Sequence, residues 1–126
     1  MTSEDNKNQN ISSVISGLHT RYRNAIIHAA NTLMSSRLSK EIKHIILYGS
    51  CARGETCYDS DVDILVVAND EAIKNADVLR EFRLIRGDLA DGGDVANVDI
   101  KLMARSSWDK NDSIYLNSIH REGVYL

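Results

Sequence analysis

Two carboxylates two positions apart, Asp61 and Asp63, stand at the head of an apolar run, Ile64 to Val67. Side chains alternate across a strand, so residues two apart share a face. Asp61 and Asp63 are therefore expected on one side, near a strand end. Adjacent carboxylates repel unless something positive lies between them. A hard divalent cation such as Mg2+ suits that position, because it prefers carboxylate oxygens and substrate phosphates. Upstream, the apolar run Ile45 to Tyr48 breaks into Gly49-Ser50, a small pair that lets backbone approach a ligand closely. A third acid, Asp99, lies inside the run Val95 to Met103, where Val98, Ile100 and Leu102 share one face and Asp99 and Lys101 the other. An Asp inside an apolar strand is out of place unless it is paired or ligated. Both readings exist here: an ion pair with Lys101, or a place beside Asp61 and Asp63 on a metal.

The stretch from Tyr48 to Val67 resembles the signature of the polymerase-beta-like nucleotidyltransferases, and most closely that of the minimal nucleotidyltransferases. Gly49, Ser50, Ala52, Arg53 and Gly54 match the Gly-Ser-x-Ala-Arg-Gly part, and Ser60, Asp61, Asp63 and Ile64 match the Ser-Asp-x-Asp-Ile part. The resemblance implies an α/β (α+β) fold, a short mixed β-sheet flanked by helices. It implies transfer of AMP, or another nucleoside monophosphate, from ATP or another nucleoside triphosphate. Asp61, Asp63 and Asp99 would be the catalytic, metal-holding acids, with two Mg2+ ions, or Mn2+ in their place. Such ions, about 3.5–4 Å apart, stabilise both ends of an in-line displacement. Gly49 and Ser50 would bind the β- and γ-phosphates. Arg53 either adds charge there or pins the loop to Glu55 or Asp59, and Ser60 holds the Asp61 loop. The resemblance further implies a small helical HEPN-type partner, toward which the chain acts as antitoxin by adenylylating a hydroxyl. Two alternatives stay open: an antitoxin that neutralises by contact alone, and a small-molecule or nucleic-acid nucleotidyltransferase with a homo-oligomeric site.

A P-loop is excluded on charge. Gly49 and Gly54 have the right spacing, but Glu55-Thr56 stands where the phosphate-binding Lys-Ser/Thr belongs. The 126 residues, 43% hydrophobic and 26% charged, fit one ordinary domain. A net charge of −3 gives no general attraction to nucleic acid. No run is long enough to span a bilayer, and the start lacks a signal-peptide core, so a cytoplasmic location is expected. Cys51 and Cys57 are expected to be free thiols.

The elements that must position these residues follow from periodicity. Residues 1–10 read as a disordered tail and 11–126 as a single domain. Ile11, Val14, Ile15, Leu18, Tyr22, Ile26, Ala29 and Leu33 predict one helix fading near Ser35-Ser36. His44 reads as structural or surface. A short helical turn is expected at Cys51 to Arg53. Asn69-Asp70-Glu71 predicts a helix start, with Ile73, Val78, Leu79, Phe82, Ile85 and Leu89 on its apolar side. Arg80, Arg83 and Arg86 read as its solvated side, with a nucleotide or a partner as the alternative. Asp91 to Asp94 reads as a turn. From Trp108 a short helix and a terminal extended piece are expected.

Overall fold

The computed structural model describes residues 14–56, 60–93 and 95–126. The expected tail at residues 1–10, Ile11, Cys57, Asp59 and Asp94 lie outside these residues. Four strands form one mixed sheet: β1 (Ile42–Tyr48), β2 (Val62–Ala68), β3 (Val98–Ala104) and β4 (Val124–Tyr125), in the spatial order β3-β2-β1-β4. β1 runs antiparallel to both β2 and β4, and β2 runs parallel to β3. The expected α/β class with a mixed sheet is the architecture observed.

Both faces of the sheet are apolar and both are covered. On one face Ile45, Leu47, Val62, Ile64, Val66, Val98 and Ile100 pack with α1 (Thr20–Ser35). Two further helices follow β2, α3 (Asp70–Ile73) and α4 (Ala76–Ala90), and α4 adds Phe82, Ile85 and Leu89 to the same cluster. On the other face Ile46, Tyr48, Leu65 and Val67 meet Trp108 of α5 (Arg105–Lys110) and Leu116 and Ile119 of α6 (Ile114–Glu122). Between β1 and β2 a single turn of helix, α2 (Ser50–Arg53), occupies the expected place.

Three boundaries differ from the periodic reading, each for a local reason. The first stripe does not form one helix through residue 18. The chain turns at Gly17-Leu18, and His19 caps α1, its Nδ1 accepting from the Arg21 N–H. Leu18 is nonetheless buried with the stripe. The segment from Asn69 is two helices, because the Asn75 side chain accepts from the Asp77 and Val78 N–H groups and starts a new one. Such a cap offers the backbone a partner that competes with continuing the helix. The last long strand begins at Val98 rather than Val95. The Val95 and Ala96 N–H groups are taken by the carbonyls of Gly92 and Arg21, outside the sheet.

Trp108 anchors the second face. It is 2% exposed, its ring stacks on His120 at 3.5 Å, and its carbonyl accepts from His120 Nε2 at 2.9 Å. Trp108→Ala is expected to destabilise the chain by about 3–5 kcal/mol, read from the urea unfolding midpoint.

Candidate active site

The parallel register of β2 and β3 sets Asp63 directly opposite Asp99. Alternation aims both at the face that carries Leu65 and Val67. On its other side Asp63 is paired with Tyr48, the last residue of β1. The next residue, Gly49, has φ +76°, a region that favours glycine. A Cβ there would lie 2.6 Å from Asp63 Oδ2, so the bend passes close beneath the carboxylate. Ser50 opens α2 immediately after, and the first N–H groups of so short a helix have no partner within it. Gly54, at φ +71°, closes the turn.

The electrostatics mark Asp63. Burial raises its carboxyl above the usual value of 3.8, and the neighbouring Asp99 raises it further; Lys101 opposes them. Asp61 adds a smaller push upward, and Arg53 a smaller pull downward. Asp99 forms an ion pair with Lys101 at 4.0 Å. Both readings of Asp99 thus meet at one place: it faces Asp63, and Lys101 is its present counter-ion. Asp61 lies just before β2 and is exposed, and its carbonyl accepts from Cys51 Sγ at 3.9 Å. Among the described residues no group of three or more His, Cys, Asp or Glu side chains is gathered closely enough to form a metal-ligand cluster. The two acids brought side by side are Asp63 and Asp99. Cys51 is a free, fully buried thiol, pushed up to about 11 by burial and then by Asp63. Ser60 follows the undescribed residues 57–59 and is half-buried.

Arg53 binds Glu55 at 3.1 Å and Glu122, at the end of α6, at 3.4 Å. Glu55 is one of the loop partners expected for Arg53, and Glu122 is a partner that spacing did not suggest. Two further residues had not been singled out. The Tyr115 hydroxyl donates to the Tyr48 hydroxyl at 3.1 Å, and the rings meet edge to face. Burial, then the contact with Tyr115, then Asp63 and Asp99 all raise the Tyr48 phenol, which stays protonated. Tyr48 could have been noticed as the neighbour of Gly49. Tyr115, 67 positions away, carried no local signal.

Residues 29–120 match the family model described as Polymerase beta, Nucleotidyltransferase. The chain belongs to this nucleotidyltransferase family. No curated protein matches it. Among solved structures it is similar to a candidate nucleotidyltransferase from Sulfolobus solfataricus, at 17% identity and TM-score 0.45, over 94% of this chain and 84% of that one. It is also similar to a toxin–antitoxin structure with AMP-PNP, at 22% identity and TM-score 0.48, over 81% of this chain and 69% of that one. Among the described residues no helix is long and apolar enough to cross a membrane.

Two outcomes follow from this geometry. Gly49→Ala is expected to lower stability by about 1–3 kcal/mol, seen as a drop in the thermal midpoint, because it forces a Cβ onto Asp63 in a strained backbone region. The raised Asp63 carboxyl holds its proton more tightly folded than unfolded. Its effect on metal-free stability therefore favours the fold at low pH and is lost as pH rises above the usual carboxylate range. Asp63→Asn, which carries no charge, should melt above the metal-free wild type at neutral pH. That gap should close as the pH falls toward 3.8.

Proposed function

We propose that the chain is a divalent-cation-dependent nucleotidyltransferase that moves AMP from ATP to a hydroxyl on a partner protein. It would serve as the antitoxin of a small helical HEPN-type toxin in the cytoplasm. The observation that carries this is the pairing of Asp63 with Asp99 across β2 and β3, directly above the Gly49-Ser50 bend.

The donor set fits a hard cation. The site offers carboxylate oxygens, and burial first and the neighbouring Asp99 second raise the Asp63 carboxyl. Asp63 and Asp99, with Asp61 at the rim, would hold it. Mg2+ commonly takes one or two carboxylates and completes its shell with water and substrate phosphate, so a compact protein cluster is not required. Bound there, it would neutralise the charge that develops on the phosphoryl group and on the pyrophosphate.

The chain's own contribution is orientation. Gly49 and Ser50 would offer N–H and hydroxyl donors to the β- and γ-phosphates, as the start of a helical turn favours. Arg53, tied to Glu55 and Glu122, holds α2 against α6. The acceptor hydroxyl attacks the α-phosphorus, the bond to the bridging β-phosphate oxygen breaks, and pyrophosphate leaves. The hydroxyl proton passes to the Asp99 carboxylate, which is 41% exposed and so open to an incoming acceptor.

A second reading has its own support. The Asp99–Lys101 pair already compensates one acid, which suits a chain that neutralises its toxin by contact alone. One experiment separates the two. With labelled ATP, Mg2+ and the helical protein encoded beside it, the chain should label that protein. Asp63→Asn or Asp99→Asn should reduce labelling by at least about a hundredfold. Full neutralisation by Asp61→Ala/Asp63→Ala, with no label on the partner, would establish the contact-only reading instead.

A further inference from the structure

On the face of the sheet opposite the carboxylates, a groove of about 440 Å³ runs between α4 and β3. Its floor is apolar, formed by Leu79, Phe82 and Leu102, and Arg83, Arg86 and Lys101 complete the lining. Sequence spacing placed Arg80, Arg83 and Arg86 together on a solvated side. The fold divides them: Arg80 pairs with Asp77, while Arg83 and Arg86 turn to the groove. Among the described residues no acid lies within ion-pair distance of Arg83 or Arg86. Lys101 joins the groove to the site, since its ammonium also reaches Asp99 at 4.0 Å.

We infer that this groove is the acceptor-docking site, and that it takes an acidic peptide segment bearing large apolar side chains. The inference deepens the proposed transfer reaction and rests on it for what happens to the bound segment. Arg83 and Arg86, with no acid partner among the described residues, call for negative charge, which a chain of net charge −3 otherwise repels. Leu79 and Leu102 are half-buried and leave apolar surface for side chains to cover. A peptide supplies both on one strand of chain. Nucleic acid fits less well, because Phe82 is only 6% exposed and offers no ring face for a base to stack on. β3 is also the outermost strand of the sheet, so an extended segment can lie along its free edge and hydrogen-bond to it. Side chains of such a segment alternate between the two faces, so a hydroxyl next in sequence to a groove-filling side chain would face Asp99.

The test needs neither nucleotide nor turnover, so it fails or succeeds independently of the transfer reading. Fluorescein-labelled peptides are titrated with the full chain, and anisotropy is followed. One probe alternates Asp/Glu with Leu and carries a Tyr; a second replaces every acid by its amide; a third probe is a short single-stranded RNA. The acidic probe should bind at least about tenfold tighter than its amide counterpart, and weaken steeply with salt. Arg83→Glu/Arg86→Glu should lose that preference, the milder Arg83→Gln/Arg86→Gln should lose part of it, and Arg80→Glu should keep it. Equal binding of the acidic and amide probes would overturn the inference. So would equal losses with Arg80→Glu and Arg83→Glu/Arg86→Glu, or RNA that binds as tightly as the acidic probe and displaces it.

Discussion

Asp63 and Asp99 face each other across a parallel strand pair, and the remainder of the molecule is arranged around that unfavourable contact. Two carboxylates at neighbouring positions repel, and burial of Asp63 makes the repulsion harder to screen. The fold tolerates the pair because it sits where the strands begin, at the rim of the sheet, with Lys101 two residues along β3 from Asp99. Deeper in β2 the positions on that face are Leu65 and Val67, apolar and sealed by Trp108, Leu116 and Ile119. Rigidity comes from those residues, and charge is confined to the end they leave open. A like-charge pair kept half-buried in this way raises the Asp63 carboxyl, and Lys101 is the cation that answers it in the fold.

The Gly49 bend belongs to the same constraint. β1 must deliver the chain out of the sheet within one residue of Tyr48, directly beside Asp63. Any side chain at Gly49 would occupy the space of the Asp63 carboxylate. Glycine therefore does two things here: it adopts the positive φ, and it leaves Asp63 room to face outward. The bend is then clamped from a distance by Arg53, which reaches Glu55 within its own loop and Glu122 at the far end of α6. Loop and carboxylates are in this way referenced to the same two layers of helix.

What could be read in advance was whatever depends on a period of two or on a turn residue. Alternation put Asp99 and Lys101 on one face and Val98 and Ile100 on the other, as found. The Gly49-Ser50 break marked the end of β1. Helix boundaries were less legible, because the apolar stripe runs unbroken through Gly17 and through Asn75, while the backbone stops at both. At Asn75 a side chain takes the N–H groups that a continuous helix would have used. The partition of Arg80 from Arg83 and Arg86 was invisible for a different reason. It depends on where the edge of β3 lies against α4, which is a tertiary fact. The same holds for the Tyr48–Tyr115 hydroxyl pair and for Glu122, whose partners lie far away in the chain.

The strand order also governs how anything can approach Asp99. Asp63 is flanked on both sides, by β1 and by β3, whereas Asp99 lies on the outermost strand. A group arriving from the Gly49 side meets Asp63 first, and one arriving over the open edge of β3 meets Asp99 first. A displacement reaction needs its nucleophile and leaving group on opposite sides of the reacting phosphorus. On the proposed function, a triphosphate tail toward Gly49 would leave the β3 edge as the approach for the acceptor. The asymmetry is a consequence of topology alone. A sheet that places Asp63 on a central strand and Asp99 on an edge strand leaves the two acids open to approach from different sides.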